Sequence, residues 1–204
     1  MENNRFRCTR VREVELPTRN NQGDAGLDFY MPTDLTVSDL IKANSKASDI
    51  EYTNGLAKEG SFACILNNGK VVKLSIGPKT RVVIPSGIKV LLEPKNSMMM
   101  AANKSGRSTK QGLIFTAEIC DSPYNGEYHI GIYNTSDRIQ GVEAGKAVVQ
   151  FVHVPCYLDE VEEISNDEYD YEAATWGTRG SNGMGSGNNE KNKDTEDKDI
   201  EDKE

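Results

Sequence analysis

Apolar runs of strand length, rich in β-branched residues, recur along the chain at Phe6–Leu16, Leu27–Tyr30, Val71–Ile76, Arg81–Ile84, Gly87–Leu92, Leu113–Ile119, Tyr128–Tyr133 and Ala147–Val154. Turn residues separate them at Gly77-Pro78, Pro85-Ser86-Gly87, Asp121–Gly126 and Gly141–Gly145. No long helical period lies between these runs. The pattern therefore predicts a mostly β protein folded as an antiparallel sandwich or jelly roll.

The segment from about 34 to 70 departs from this rhythm. Thr36-Val-Ser-Asp39 fits a capping box followed by Leu40, Ile41 and Ala43, which predicts a short helix on a polar excursion. Further on, Asn67-Asn68-Gly69 predicts a hairpin turn between Ala63–Leu66 and Val71-Val72.

Beyond Pro155 come an apolar run, Cys156–Ile164, an acidic and aromatic stretch, Asp167–Trp176, and a glycine-rich stretch. The expected organisation is a β core over 1–164, a C-terminal arm over 165–187, and an acidic tail over 188–204. Of 204 residues 36% are hydrophobic and 27% charged, and the tail explains the lean apolar share. Its eight carboxylates and four lysines carry half of the net charge of −8, and with Ile200 its one aliphatic residue it reads as a solvated, disordered tail.

These features exclude several functions. No apolar run approaches the roughly 18 residues of a membrane helix, and Met1-Glu-Asn-Asn-Arg5 lacks the apolar stretch of a signal peptide, so no membrane partner and a cytoplasmic location are expected. The acidic balance argues against a nucleic-acid surface. Cys8, Cys64, Cys120 and Cys156 are widely spaced, which argues against a thiolate metal site or a disulfide framework and for reduced thiols. His129 and His153 are isolated, so neither a metal site nor a Cys–His dyad is indicated.

Three segments could carry chemistry. Arg179–Gly187 combines exposed main-chain amides, a guanidinium and two hydroxyls, which suits a polyphosphate as well as a flexible linker. Asn103–Lys110 is a basic, hydroxylic turn in which Lys104, Ser105 and the Gly106 amide could cradle phosphates, although a solvated loop has the same composition. In Ile119–Glu127 a carboxylate ends an apolar strand and a tyrosine follows in a tight turn. Asp121 there could hold an attacking water or open an Asx-turn. Gln150, polar inside an apolar strand, faces either solvent or a pocket.

Taken in order, these segments resemble the trimeric deoxyuridine triphosphate nucleotidohydrolases, the dUTPases. Asp24–Phe29 is similar to the first family motif, Lys104-Ser-Gly106 with Lys110 and Gly112 to the second, and Ile119–Glu127 to the third. Glu143–Gln150 is similar to the fourth, Arg179–Gly187 to the fifth, and Ile84-Pro-Ser-Gly-Ile88 is a further family-like turn.

The resemblance implies a jelly-roll subunit of a homotrimer that converts dUTP and water to dUMP and pyrophosphate, with sites shared between subunits. It implies Asp121 as the residue that orients and deprotonates the attacking water, Tyr124 packed on the deoxyribose, and backbone around Glu118 and Ile119 paired with uracil. Lys104, Ser105, Gly106 and Gln150 would contact phosphates, while Arg179, Ser181, Gly185 and Ser186 would close over the terminal ones and Met184 would cover the base. Mg2+ is the implied cofactor, held by Asp28 through water.

Several residues depart from the family pattern. Lys104 stands for arginine and loses bidentate contact, and Met184 stands for phenylalanine and loses stacking. Glu118 stands for a common glycine, Pro123 for a frequent acidic residue, and the fifth motif lacks its threonine. Segment 34–70 is longer than the family's usual connection, as in some phage members, which implies a viral origin, the host cytosol as location, and a protein partner for the insertion. Two alternatives compete. One is a regulatory binding protein on the same fold. The other is a dCTP deaminase, which places a catalytic glutamate where this sequence has Gly131.

Overall fold

The computed structural model describes residues 5–176. Among them are twelve strands: β1 (Arg5–Arg10), β2 (Gly26–Tyr30), β3 (Glu51–Tyr52), β4 (Ser61–Asn67), β5 (Lys70–Ile76), β6 (Arg81–Glu93), β7 (Ser97–Ala102), β8 (Leu113–Phe115), β9 (Ile119–Asp121), β10 (Glu127–Asn134), β11 (Gln140–Glu143) and β12 (Ala147–Pro155). Three helices accompany them: α1 (Val37–Asn44) and α2 (Ser105–Gln111) between strands, and α3 (Asn166–Trp176) after the last. The strands form three four-stranded sheets ordered β1-β6-β10-β8, β11-β5-β4-β3 and β2-β12-β7-β9. This is the expected mostly β jelly-roll fold, with its sheets packed rather than closed into one barrel. Among the described residues, those up to Leu158 form one compact unit and those over 159–176 a second.

Alternation decides what each strand buries. In β2, Leu27 and Phe29 point into the core and Asp28 to the opposite face, because successive side chains of a strand alternate. In β12, Val149 and Phe151 enter the same core and Gln150 stands opposite. Phe29, Tyr128 and Phe151 form the aromatic centre, with ring centroids 4.6 Å apart for Phe29–Phe151 and 5.7 Å for Tyr128–Phe151.

Two predicted runs take a different form. Arg81–Ile84 and Gly87–Leu92 are a single strand, because the register of β6 with β10 shifts between Glu127 and His129 and Gly87 adopts φ +74°, absorbing Pro85-Ser-Gly as an irregularity within the strand. Leu113–Ile119 instead splits in two. β8 pairs with β10 in one sheet and β9 with β7 in another, so the backbone switches sheets at Thr116–Glu118. The first run ends early as a strand, at Arg10, although the Val11 N–H still donates to Gly87 C=O of β6 at 2.8 Å.

The capping box of α1 forms as expected, with Asp39 N–H donating to Thr36 Oγ1 at 3.2 Å and Thr36 N–H to Asp39 Oδ2 at 2.9 Å. The Asn68-Gly69 hairpin also forms, both residues having positive φ (49° and 74°), as a two-residue turn between twisted strands requires. The segment is no detached polar excursion, however. Leu35, Leu40 and Phe62 are fully buried in the common core, and the buried Asn44 side chain bridges to β6 by accepting from Val83 N–H at 2.8 Å and donating to Val83 C=O at 2.9 Å.

In the second unit, the stretch Asp167–Trp176 is helical. Ser165 Oγ accepts the Glu168 N–H at 3.2 Å, and Asp167 and Glu168 occupy the first turn, where negative charge complements the helix dipole. No described helix is long and apolar enough to cross a membrane.

Candidate active site

Asp28 and Gln150 face each other across the β2–β12 pair, and Ala102 of β7 lies on the other side of Gln150. The backbone leaves β7 through Asn103 into α2, whose N-cap is Lys104. Lys104 Nζ lies 2.6 Å from Asp28 Oδ1, and the carboxylate retains only 14% of its side-chain exposure. Gln150 Nε2 donates to Asn103 C=O at 3.1 Å. Gly26 allows this arrangement: a Cβ there would stand 2.6 Å from Gln150 Oε1. Lys104 C=O accepts from the Arg107 and Ser108 amides, both at 2.9 Å. The Ser105 and Gly106 amides, in the first turn, have no intrahelical acceptor. Residues predicted from three separate segments, Asp28, Lys104–Gly106 and Gln150, therefore form one group.

Asp121, Tyr124, Glu118 and Ile119 form a second group. Tyr124 N–H donates to Asp121 C=O at 3.0 Å, closing the turn, and its hydroxyl donates to Glu127 C=O at 2.9 Å. The Tyr124 ring, 46% exposed, rests on the buried Tyr128 with centroids 5.9 Å apart. Glu118 C=O accepts from Ala101 N–H at 2.7 Å, and Ile119 pairs with Met100.

Asp121 stands apart from Gln150 in this chain. Asp121 pairs with Met98 and Gln150 with Ala102, on opposite edges of β7. Four residues of β7 separate them by about 13 Å along the strand and the two flanking strands by about 10 Å across the sheet, about 16 Å in all. Arg179, Ser181, Met184, Gly185 and Ser186 lie outside the described residues.

Sequence reasoning missed Arg107. Its half-buried guanidinium donates to Ala147 C=O at 2.9 Å, to Gly141 C=O at 3.2 Å and to Gln111 Oε1 at 3.2 Å, tying α2 to the β11–β12 hairpin. Burial pushes its pKa down, with Glu143 opposing. A lone arginine in a hydroxylic turn carries no local sign of such long-range acceptors.

Other chemistries find no support among these residues. A Cβ on Gly131 would stand 2.4 Å from Thr116 Oγ1, so a deaminase glutamate there would require Thr116 to turn aside. Burial pushes the Cys64 thiol up to about 11, and burial together with Asp121 does the same for Cys120, so neither is an activated nucleophile. His153 Nε2 lies 2.7 Å from Ser97 Oγ, whose own hydrogen bond goes to Pro94 C=O, and burial lowers the histidine pKa. Among the described residues no three of His, Cys, Asp or Glu converge into a metal cage. The donor set suits instead a Mg2+ that arrives with phosphate oxygens and water and needs one carboxylate.

Comparison with known proteins places the chain in a family. The dUTPase family model matches residues 71–184, starting where the long segment ends. The deoxyuridine 5'-triphosphate nucleotidohydrolase of Actinobacillus pleuropneumoniae serotype 5b is 31% identical over 101 residues, 48% of this chain and 67% of that protein. Among solved structures, a mutant dUTPase of Staphylococcus bacteriophage 80alpha with dUpNHpp is similar at TM-score 0.62 and 17% identity, over 89% of this chain and 97% of that one. A mutant dUTPase from phage phi11 of S. aureus, described with a structural Mg(II) ion, is similar at TM-score 0.55 and 18% identity, over 80% and 98%. With more than half of its length matched by the family model, the chain belongs to the dUTPase family.

Proposed function

We propose that the protein hydrolyses dUTP to dUMP and pyrophosphate by attack of water on the α-phosphorus. The observation that carries this reading is the convergence of Asp28, Lys104 and Gln150 beside the open first turn of α2 in a member of the dUTPase family. Lys104 and the Ser105 and Gly106 amides offer a cation and donors to phosphate oxygens, and Gln150 holds the end of β7 that presents them. Mg2+ bound with the triphosphate neutralises charge on the leaving group. Asp28 would hold its hydration shell.

Asp121 orients the water and takes its proton, being the exposed carboxylate at the end of β9. Tyr124 covers the deoxyribose and leaves no space for a 2′-hydroxyl, while the Glu118 and Ile119 backbone reads uracil. Arg179, Ser181, Met184, Gly185 and Ser186 complete the proposal as the arm over the phosphates and base.

The distance between the two groups supports a homotrimer, in which Asp121 and Tyr124 of one copy face Asp28 and Lys104 of another. A monomeric mass in solution would remove this part of the reading. For segment 34–70 we propose a protein partner at its solvent face, where Ile41, Leu56, Ile65 and Leu66 are exposed. Leu56→Asp and Ile65→Asp would leave dUTP turnover intact under this reading and lower it if these residues serve the enzyme alone.

The test is pyrophosphate release with Mg2+ and each of dUTP, dTTP, dCTP and UTP, beside Asp121→Asn. Selective turnover of dUTP that disappears in the variant is the expected result. No turnover of any nucleotide by a folded oligomer would overturn the proposal.

A further inference from the structure

The turn that carries Tyr124 is anchored from a distance. Its last residue, Glu127, accepts Arg12 Nε at 2.8 Å and the Gly87 N–H at 2.8 Å with the same carboxylate oxygen, and its backbone carbonyl takes the Tyr124 hydroxyl at 2.9 Å. A Cβ on Gly126 would stand 2.4 Å from that hydroxyl, so the ring is folded tightly on its own turn. Where Glu127 sits therefore determines where Tyr124 points.

Arg12 has a second carboxylate. Its Nη1 lies 3.2 Å from Asp39 Oδ1, and both side groups are largely shielded, at 21% and 28% exposure. Asp39 is itself fixed, since its other oxygen accepts the Thr36 N–H at 2.9 Å and the Thr36 hydroxyl at 2.6 Å in the cap of α1. That helix is fastened to the core by Leu40 and by Asn44 on Val83. Arg12 thus spans two otherwise unconnected carboxylates, one in the long segment and one at the base of the tyrosine turn. A guanidinium can serve both because its nitrogens diverge in one plane, whereas an ammonium is a single point.

We propose that Arg12 is a positioning residue for the Tyr124 turn, and that Asp39 extends its control to segment 34–70, so that discrimination against a ribonucleotide depends on a residue outside the site. The proposal rests on the reading of Tyr124 as the residue that covers the deoxyribose. Burial of Arg12 works against its charge, yet Glu127 and Asp39 together hold its pKa above the usual value, as expected for a cation locked between two anions.

The test uses the full-length protein with Arg12→Gln, Arg12→Lys, Asp39→Asn and the double variant Arg12→Gln/Asp39→Asn. Asparagine keeps an oxygen for the Thr36 cap and turns its amide NH2 toward Arg12, so both the charge and the acceptor facing the guanidinium are lost. Two quantities are read: the ratio of kcat/KM for dUTP over UTP, and hydrogen exchange of the amides between Asp121 and Glu127. Arg12→Gln is expected to lower the ratio about tenfold through KM with kcat within about twofold, and Asp39→Asn about threefold, the scale of ordinary coupling between sites. Arg12→Lys should recover less than half of the loss. The double variant should match Arg12→Gln, because Asp39 acts through Arg12. Exchange in the turn should quicken in each variant.

Wild-type selectivity and wild-type exchange in Arg12→Gln and Asp39→Asn would overturn the proposal, whatever their melting temperatures. If the wild-type protein turns over no nucleotide, the proposed function fails, and the exchange measurement still decides whether Asp39 and Arg12 hold the turn.

Discussion

Lys104 Nζ stands 2.6 Å from Asp28 Oδ1, joining the residue proposed to meet a phosphate to the residue proposed to meet its metal. Each neutralises the other until a triphosphate with Mg2+ supplies a partner of opposite charge to both. The pair is partly buried, so leaving one member alone costs more than at an open surface.

Replacing Lys104 by methionine should lower kcat/KM for dUTP by about a hundredfold, the usual effect of losing one preorganised charge donor. Lys104→Arg should keep activity within about threefold, since a guanidinium still reaches Asp28 and offers a fork to phosphate. Asp28→Asn should raise the Mg2+ concentration for half-maximal rate. Steady-state kinetics at varied dUTP and Mg2+ checks all three.

Segment 34–70 should prove integral to the fold. Leu40→Ala removes a fully buried side group and is expected to cost about 2–5 kcal/mol. Asn44→Ala leaves the Val83 amide and carbonyl without their partner and should cost about 1–3 kcal/mol. Denaturant titration at fixed pH measures both, and deletion of 34–68 should abolish cooperative unfolding.

Alkaline pH should weaken the fold through two thiols. Cys64 and Cys120 are each pushed from the ordinary 9.0 to about 11 by burial, with Asp121 adding to the effect at Cys120. A group whose folded pKa is raised contributes stability that is complete below its unfolded pKa and is lost as pH rises through the folded one. The melting temperature should therefore decline between pH 9 and about pH 11, with Cys8 and Tyr128, also raised by burial, adding to the decline, and Cys64→Ala with Cys120→Ala should lessen it. An unchanged slope in the double variant would show that other groups govern it.

What the sequence made legible was local. The Thr36–Asp39 cap, the Asn68-Gly69 turn and the alternation that sets Asp28 and Gln150 opposite Phe29 and Phe151 all depend on residues a few positions apart. The crossing of Thr116–Glu118 between sheets was hidden, because an apolar run reads alike whether it stays in one sheet or leaves it. The helical form of 105–111 was hidden too, since its serines, threonine and glycine are weak helix formers and its hold comes from Arg107 on the backbone of the β11–β12 hairpin. Arg12 meets Glu127 across 115 positions of sequence, a relationship no local pattern encodes.

The most direct test of the central claim, dUTP hydrolysis at a site assembled from two copies, is to mix two inactive variants. Lys104→Met removes the phosphate group of residues and Asp121→Asn the water-activating group, and each is expected to be nearly inactive alone. Refolded together in equal amounts, they should regain about a quarter of wild-type pyrophosphate release from dUTP, the fraction of shared sites in a random cyclic trimer that draw both intact groups. Mixed oligomers with no more activity than either variant alone would contradict the account.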